Sequence, residues 1–180
     1  MNRIGLIVVL SLVASGRVFP ADVSYPNAEV LSSCISAGAP KAATYGGNGI
    51  DGVVYVLPAG GATIGLANEG QVRGELHSAN WEALSGPLQN LRNRTSKRWE
   101  LPKGISAAAF RVEVAEPPKG QFGYEHLYFS FWPPGYSADM QSSVVRAFVG
   151  PTFHGATITC ELSLRKGLWV VVNSWFTPYA

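Results

Sequence analysis

Side chains able to do chemistry are few in this chain, and they are scattered. His77, His126 and His154 are its three histidines, and Cys34 and Cys160 its two cysteines. A general base must lie within hydrogen-bond reach of the proton it takes, which makes the three histidines the catalytic candidates. Each has an ordinary alternative as a surface or core residue. No G-x-S-x-G elbow marks a nucleophilic serine. No H-E-x-x-H or comparable spacing marks a metal site, and no metal or cofactor is expected. A glycosidase pair would hold two acids roughly 5–9 Å apart. Glu113, Glu125 and Glu161 fall on predicted strands, where solvent-facing acids give the same pattern.

Two glycine motifs dissolve once their mechanism is considered. Gly47-Asn-Gly49-Ile-Asp-Gly52 spells the dinucleotide fingerprint, but that site needs a strand before the glycines and a helix after them. Here a strand follows. Gly46 to Val53 also spells one calcium-binding nonapeptide, a site completed only between stacked repeats. A flexible turn accounts for both.

The surface candidate is Trp132-Pro133-Pro134-Gly135-Tyr136. Two prolines stiffen the loop, and rigid aromatics lose little entropy on binding, so Trp132 and Tyr136 are the expected contacts to a protein or a glycan. The competing reading ends a core strand at Trp132 and packs Tyr136 inward. Arg92, Arg94, Lys97 and Arg98 form the one basic cluster, read either as an anion-binding patch or as a solvated helix end. Asn93-Arg94-Thr95 is a glycosylation sequon, meaningful only in a eukaryotic secretory pathway.

The context for these residues is set by the N-terminus. Met1-Asn2-Arg3 carries a positive charge, and Ile4 to Ala14 is an apolar run of about 11 residues, short of the roughly 20 that span a bilayer. This is the pattern of a secretory signal peptide, cut after Gly16 or after Ala21. Residues 1–21 are thus read as leader and 22–180 as one domain, located in a periplasm or outside the cell. The whole chain carries 14 basic and 12 acidic residues, and losing Arg3 and Arg17 equalises them. A nucleic-acid partner would call for a basic excess, and none remains. No later apolar stretch is long enough to span a membrane. In an oxidising compartment two cysteines imply one disulfide, Cys34 to Cys160, the alternative being two buried free thiols. Closing so long a loop is worth roughly 4–5 kcal/mol in the chain-entropy model.

Periodicity supplies the elements. Asn27 N-caps a first helix with Val30, Leu31, Cys34 and Ile35 on one face, stopped by Gly38 and Pro40. Val53–Leu57 and Ala62–Ala67 form a hairpin. Trp81, Leu84, Leu88 and Leu91 mark a second helix between Asn80 and Asn93, broken or kinked at Gly86-Pro87. Ala108–Val114 alternates as a strand, and Pro117-Pro-Lys-Gly turns it into Tyr124–Trp132. Ser137 then N-caps a third helix with Met140, Val144, Val145 and Phe148 on one face. Ala156–Arg165 alternates strictly, and Lys166-Gly167 joins it to Leu168–Phe176, whose apolar run reads as a strand buried on both faces. The fold class is therefore α+β: a mainly antiparallel sheet of hairpins with about three helices packed on it, stapled by one disulfide.

The function expected on these grounds is a small exported binding or interaction protein acting on a protein or glycan partner. The alternatives are a secreted hydrolase with a histidine or carboxylate site and a structural component of the cell envelope.

Overall fold

A computed structural model describes residues 25–46, 52–58, 72, 74–76, 80–95, 99–120, 123–124, 126–151 and 155–178. The expected leader, residues 47–51, the expected strand at 62–67, His77 and His154 lie outside them.

The first helix, α1 (Asn27–Gly46), buries Val30, Leu31, Cys34, Ile35, Ala39 and Ala42. It runs past both expected stops. At Gly38 a Cβ would lie 2.3 Å from the Ile158 side chain, so glycine is there for close approach to the sheet. Pro40 is held inside the helix although proline costs a helix interior ~3 kcal/mol. Burial of Ala39 and Ala42 on the sheet carries the helix through it. The second helix, α2 (Trp81–Thr95), is likewise continuous through Pro87 and buries Leu84, Leu88 and Leu91. Asn80 starts it, its side-chain oxygen accepting the Ala83 amide at 3.4 Å.

The main sheet contains β1 (Val53–Val56), β2 (Arg111–Val114), β5 (Tyr128–Phe131), β6 (Gly135–Tyr136), β7 (Ser142–Gly150), β8 (Ala156–Arg165) and β9 (Leu168–Pro178). Its order is β2-β1-β5-β7-β8-β9, with β6 paired to β7. A separate small ladder joins β3 (Lys119–Gly120) to β4 (Gly123–Tyr124). Everything from β5 to β9 is antiparallel, while β1 pairs in parallel with both β2 and β5. The fold is α+β with a mixed, mostly antiparallel sheet and, among the described residues, two long helices.

Four expectations are corrected here. Residues 142–150 form strand β7, an antiparallel neighbour of β8, and not a third helix. Val144, Val145 and Phe148 fit a helical face, but the sheet buries both faces of this strand, which blurs its period-two signal. Ser137 closes the turn before it, accepting the Ser142 amide at 2.9 Å and donating to Asp139 at 2.6 Å. Strand β1 pairs with β2 and β5, and β2 with β5 is not a hairpin, because β1 lies between them. Finally, β9 is an edge strand, not a central one, and Leu168 and Val170 are 70% and 39% exposed.

Strand alternation builds a core on each face. Val145, Ala147 and Val149 of β7, with Ile158, Cys160 and Leu162 of β8, face α1. Val144 faces the other way, into a second cluster with Leu84, Leu88 and Leu91 of α2 and with Val72 and Leu76. The Cys34–Cys160 disulfide forms as expected, across a Cα–Cα distance of 5.8 Å, and fastens α1 to β8.

Candidate functional site

The aromatic loop is turned inward. Trp132 and Tyr136 are 3% and 0% exposed, so the rings expected to meet a partner are held in the interior. Gly135 explains why the loop fits: a Cβ there would stand 2.0 Å from the Pro87 carbonyl of α2. The Tyr136 amide donates to Asn90 Oδ1 at 3.0 Å. Its hydroxyl donates to Asn27 Oδ1 at 3.0 Å, and its ring stacks on Tyr25 with centroids 5.0 Å apart.

Arg94 completes this hub, which sequence reasoning assigned to a basic surface cluster. Its guanidinium donates to the Pro134 carbonyl and to Asn27 Oδ1, and lies 4.1 Å from the centre of the Tyr25 ring. Burial pulls the Arg94 pKa down from its ordinary value, while Tyr25 and Tyr136 oppose the shift. Burial pushes the Tyr136 phenol well up, against the pull of Arg94. Asn27 serves both groups with its side-chain oxygen instead of capping its helix. Lys97 and Arg98 of the cluster lie outside the described residues. Of the sequon, Thr95 donates to the Leu91 carbonyl at 2.7 Å within α2.

Of the three histidine candidates only His126 lies among the described residues. His126 sits in a bend before β5, its ring 5.6 Å from that of Tyr55. Glu113 pairs with Arg111 on the edge strand β2, and Glu161 accepts from Asn173 at 2.7 Å on β8. Three strands separate β2 from β8, so at about 4.8 Å per strand the two acids stand ~19 Å apart, beyond glycosidase reach. Glu125 lies outside the described residues, and among those residues no three metal-ligating side chains cluster.

A buried ion pair was not anticipated. Arg146, in the middle of β7, donates to Glu75 at 2.7 Å and to Thr159 at 2.9 Å, with side-chain exposures of 1% and 6% for the pair. Trp132 lies 6.0 Å from its guanidinium. The pair ties the helical turn at Val72–Leu76 to the α2 face of the sheet. A lone arginine in an apolar run carries no sequence signal for burial, because its partner is distant in the chain.

The accessible concavity lies on the opposite face. Ser32, Ser33, Ser36 and Ala37 of α1 floor a groove of about 460 Å³, walled by Ser106–Ala108 on one side and Trp169–Val171 of β9 on the other. The lining residues carry no charge. The three serines of its floor are already donors within the protein: Ser32 to the Ala28 carbonyl, Ser36 to the Ser32 carbonyl, and Ser33 to the Trp169 carbonyl. Ser32 also accepts the Ser106 amide at 3.0 Å, which joins floor to wall. The hydroxyls therefore present acceptor lone pairs to anything entering. The Trp169 ring is spent on the core, edge-on to Tyr136 at 5.9 Å, and is no free stacking platform.

Comparison with known protein families, with curated proteins and with solved structures finds no match for this chain. The chemistry of the molecule itself carries the functional reading.

Proposed function

We propose that this is an exported, disulfide-stapled binding protein that recognises a protein partner in the groove between α1, residues 106–108 and β9. One observation carries the reading: an uncharged, acceptor-lined groove runs beside the exposed edge of an eleven-residue strand. The groove takes the place of the Trp132–Tyr136 loop, whose rings are committed to the core. Export is supported by the leader pattern and by the disulfide, since such bonds persist in oxidising compartments. Among the described residues no helix is long and apolar enough to cross a membrane.

Filling the groove tests the site. Affinity capture from the native envelope or medium is run with the wild type and with Ser36→Tyr, after matching their melting temperatures. A protein retained by the wild type and lost by Ser36→Tyr is the expected result. Identical eluates from both, or a glycan in place of a protein, would defeat the reading. Mass measurement of natively exported chain should show a start after Gly16 or Ala21, and an intact leader would remove the export claim.

A further inference from the structure

The free edge of β9 states how such a partner would be held. Among the described residues strand β9 ends the sheet, with β8 as its neighbour there. Lys166 and Gly167, both at positive φ (52° and 79°), form a two-residue turn closed by the pair Arg165 and Leu168. In such a hairpin the closing pair exchanges both hydrogen bonds, and inward and outward residues then alternate. The peptide groups of Leu168 and Val170 are directed to β8, and those of Trp169 and Val171 to the open side. Ser33 checks this orientation independently, because its hydroxyl reaches the Trp169 carbonyl at 3.0 Å from α1. The groove thus contains outward amides of Trp169 and Val171 and an outward carbonyl of Val171.

Natural edge strands are usually blunted by lysine, proline, a bulge or a covering element. Here a bulge falls after Val171, opposite Glu161 and Leu162, and Lys41 covers Ser174 through bonds of 3.1 and 2.7 Å. The stretch Leu168–Val171 escapes these devices apart from the one carbonyl held by Ser33. It carries two of the three large hydrophobics exposed among the described residues, Leu168 and Val170.

We infer that an extended segment of a partner protein adds to β9 at Trp169–Val171 as an extra strand, its free amides donating into the serine acceptors along α1. This rests on the groove reading above and deepens it. Charge selects the occupant. The groove lining is neutral, while exposed Arg165 and Lys166 stand at one end of the lane and Lys41 at the other. A segment uncharged at its centre and acidic at its flanks complements that pattern. A second copy of this chain does not, since two-fold pairing would set the Arg165–Lys166 end against the Lys41 end. A glycan would want both donors and acceptors and a stacking ring, and the serine donors and the Trp169 ring are otherwise engaged.

The test uses the oxidised full-length protein and short random peptides displayed for selection. Enriched peptides should alternate uncharged β-branched residues between acidic flanks. The best one is then resynthesised with N-methyl groups on alternate residues, in two complementary sets. One set blocks the amides facing β9 and should weaken binding about tenfold or more, while the other, which blocks the amides turned to the serines, should weaken it clearly less. In the protein, Val171→Pro removes one outward amide without touching the ladder to β8, and should lose the peptide while the variant still unfolds cooperatively, where Val171→Ala, which keeps the amide, retains it. Equal effects of the two N-methyl sets, or no enrichment, overturn strand addition. If Ser36→Tyr still blocks native capture in that case, the groove stands and only this mode of holding falls. A dimer of the wild type that Val171→Pro dissociates would make a second copy the occupant and also overturn the inference.

Discussion

Tyr136 and Arg94 meet on a single oxygen: Asn27 Oδ1 accepts the phenol at 3.0 Å and the guanidinium at 3.3 Å. Strand β6, helix α2 and the start of α1 are joined at that point, and none of the three residues is near another in the chain. Tyr136→Phe keeps the ring and removes one bond, so it should cost about 1 kcal/mol at neutral pH by urea unfolding. Burial raises the phenol's pKa, so the native state holds that proton more tightly than the unfolded chain does. The associated stability is complete below the ordinary tyrosine value of about 10 and is lost as pH rises above it. Melting curves of wild type and Tyr136→Phe should therefore converge in alkali. A gap that widens with pH would contradict the assignment.

Replacing both loop aromatics is a test of their burial. Trp132→Ala and Tyr136→Ala each empty a filled interior site, at about 3–5 kcal/mol apiece. Together they approach the whole stability of a typical domain, about 5–15 kcal/mol. The double variant should show no cooperative thermal transition by circular dichroism. A folded double variant would return these rings to the surface.

The Arg146–Glu75 pair should behave as a unit. Glu75→Ala strands a buried guanidinium and should cost about 3–5 kcal/mol, and Arg146→Met alone should cost a similar amount by stranding the carboxylate. The combination Arg146→Met with Glu75→Leu should recover much of that loss. Additive losses in this double-mutant cycle would show that the two groups do not sense each other.

The disulfide spans a separation of 126 residues. Its removal by Cys34→Ala with Cys160→Ala should cost up to about 4–5 kcal/mol by denaturant unfolding. Alkylation of unreduced protein taken from the cells or medium in which it is made should label neither sulfur. Modification at either position would mean that the bond does not form in the producing cell.

What the sequence made legible were local patterns of high contrast. Strict alternation gave β8, and Lys166-Gly167 gave the hairpin to β9. Two periodicities, one helical and one extended, turned Cys34 and Cys160 inward and so located the staple. Reading failed where burial on both faces erased contrast, as in β7, whose valines satisfied a helical spacing as well. It failed again where partners are distant. Nothing near Val53–Val56 announces parallel neighbours at 111–114 and 128–131, and nothing near Arg94 or Arg146 announces their pockets. The groove was invisible for the same reason. Its serines look like indifferent helix residues until residues 106–108 and the edge of β9 are brought alongside.

The placement of β1 governs how the molecule can be assembled. It leaves the ribosome early, yet both strands that flank it are made more than fifty residues later, and β8, which carries the second cysteine, later still. Among the described residues, a nascent chain of half length has no sheet partner for β1, and it has no thiol for Cys34 to find. Completing the sheet around β1 and closing the disulfide must wait for nearly the entire polypeptide.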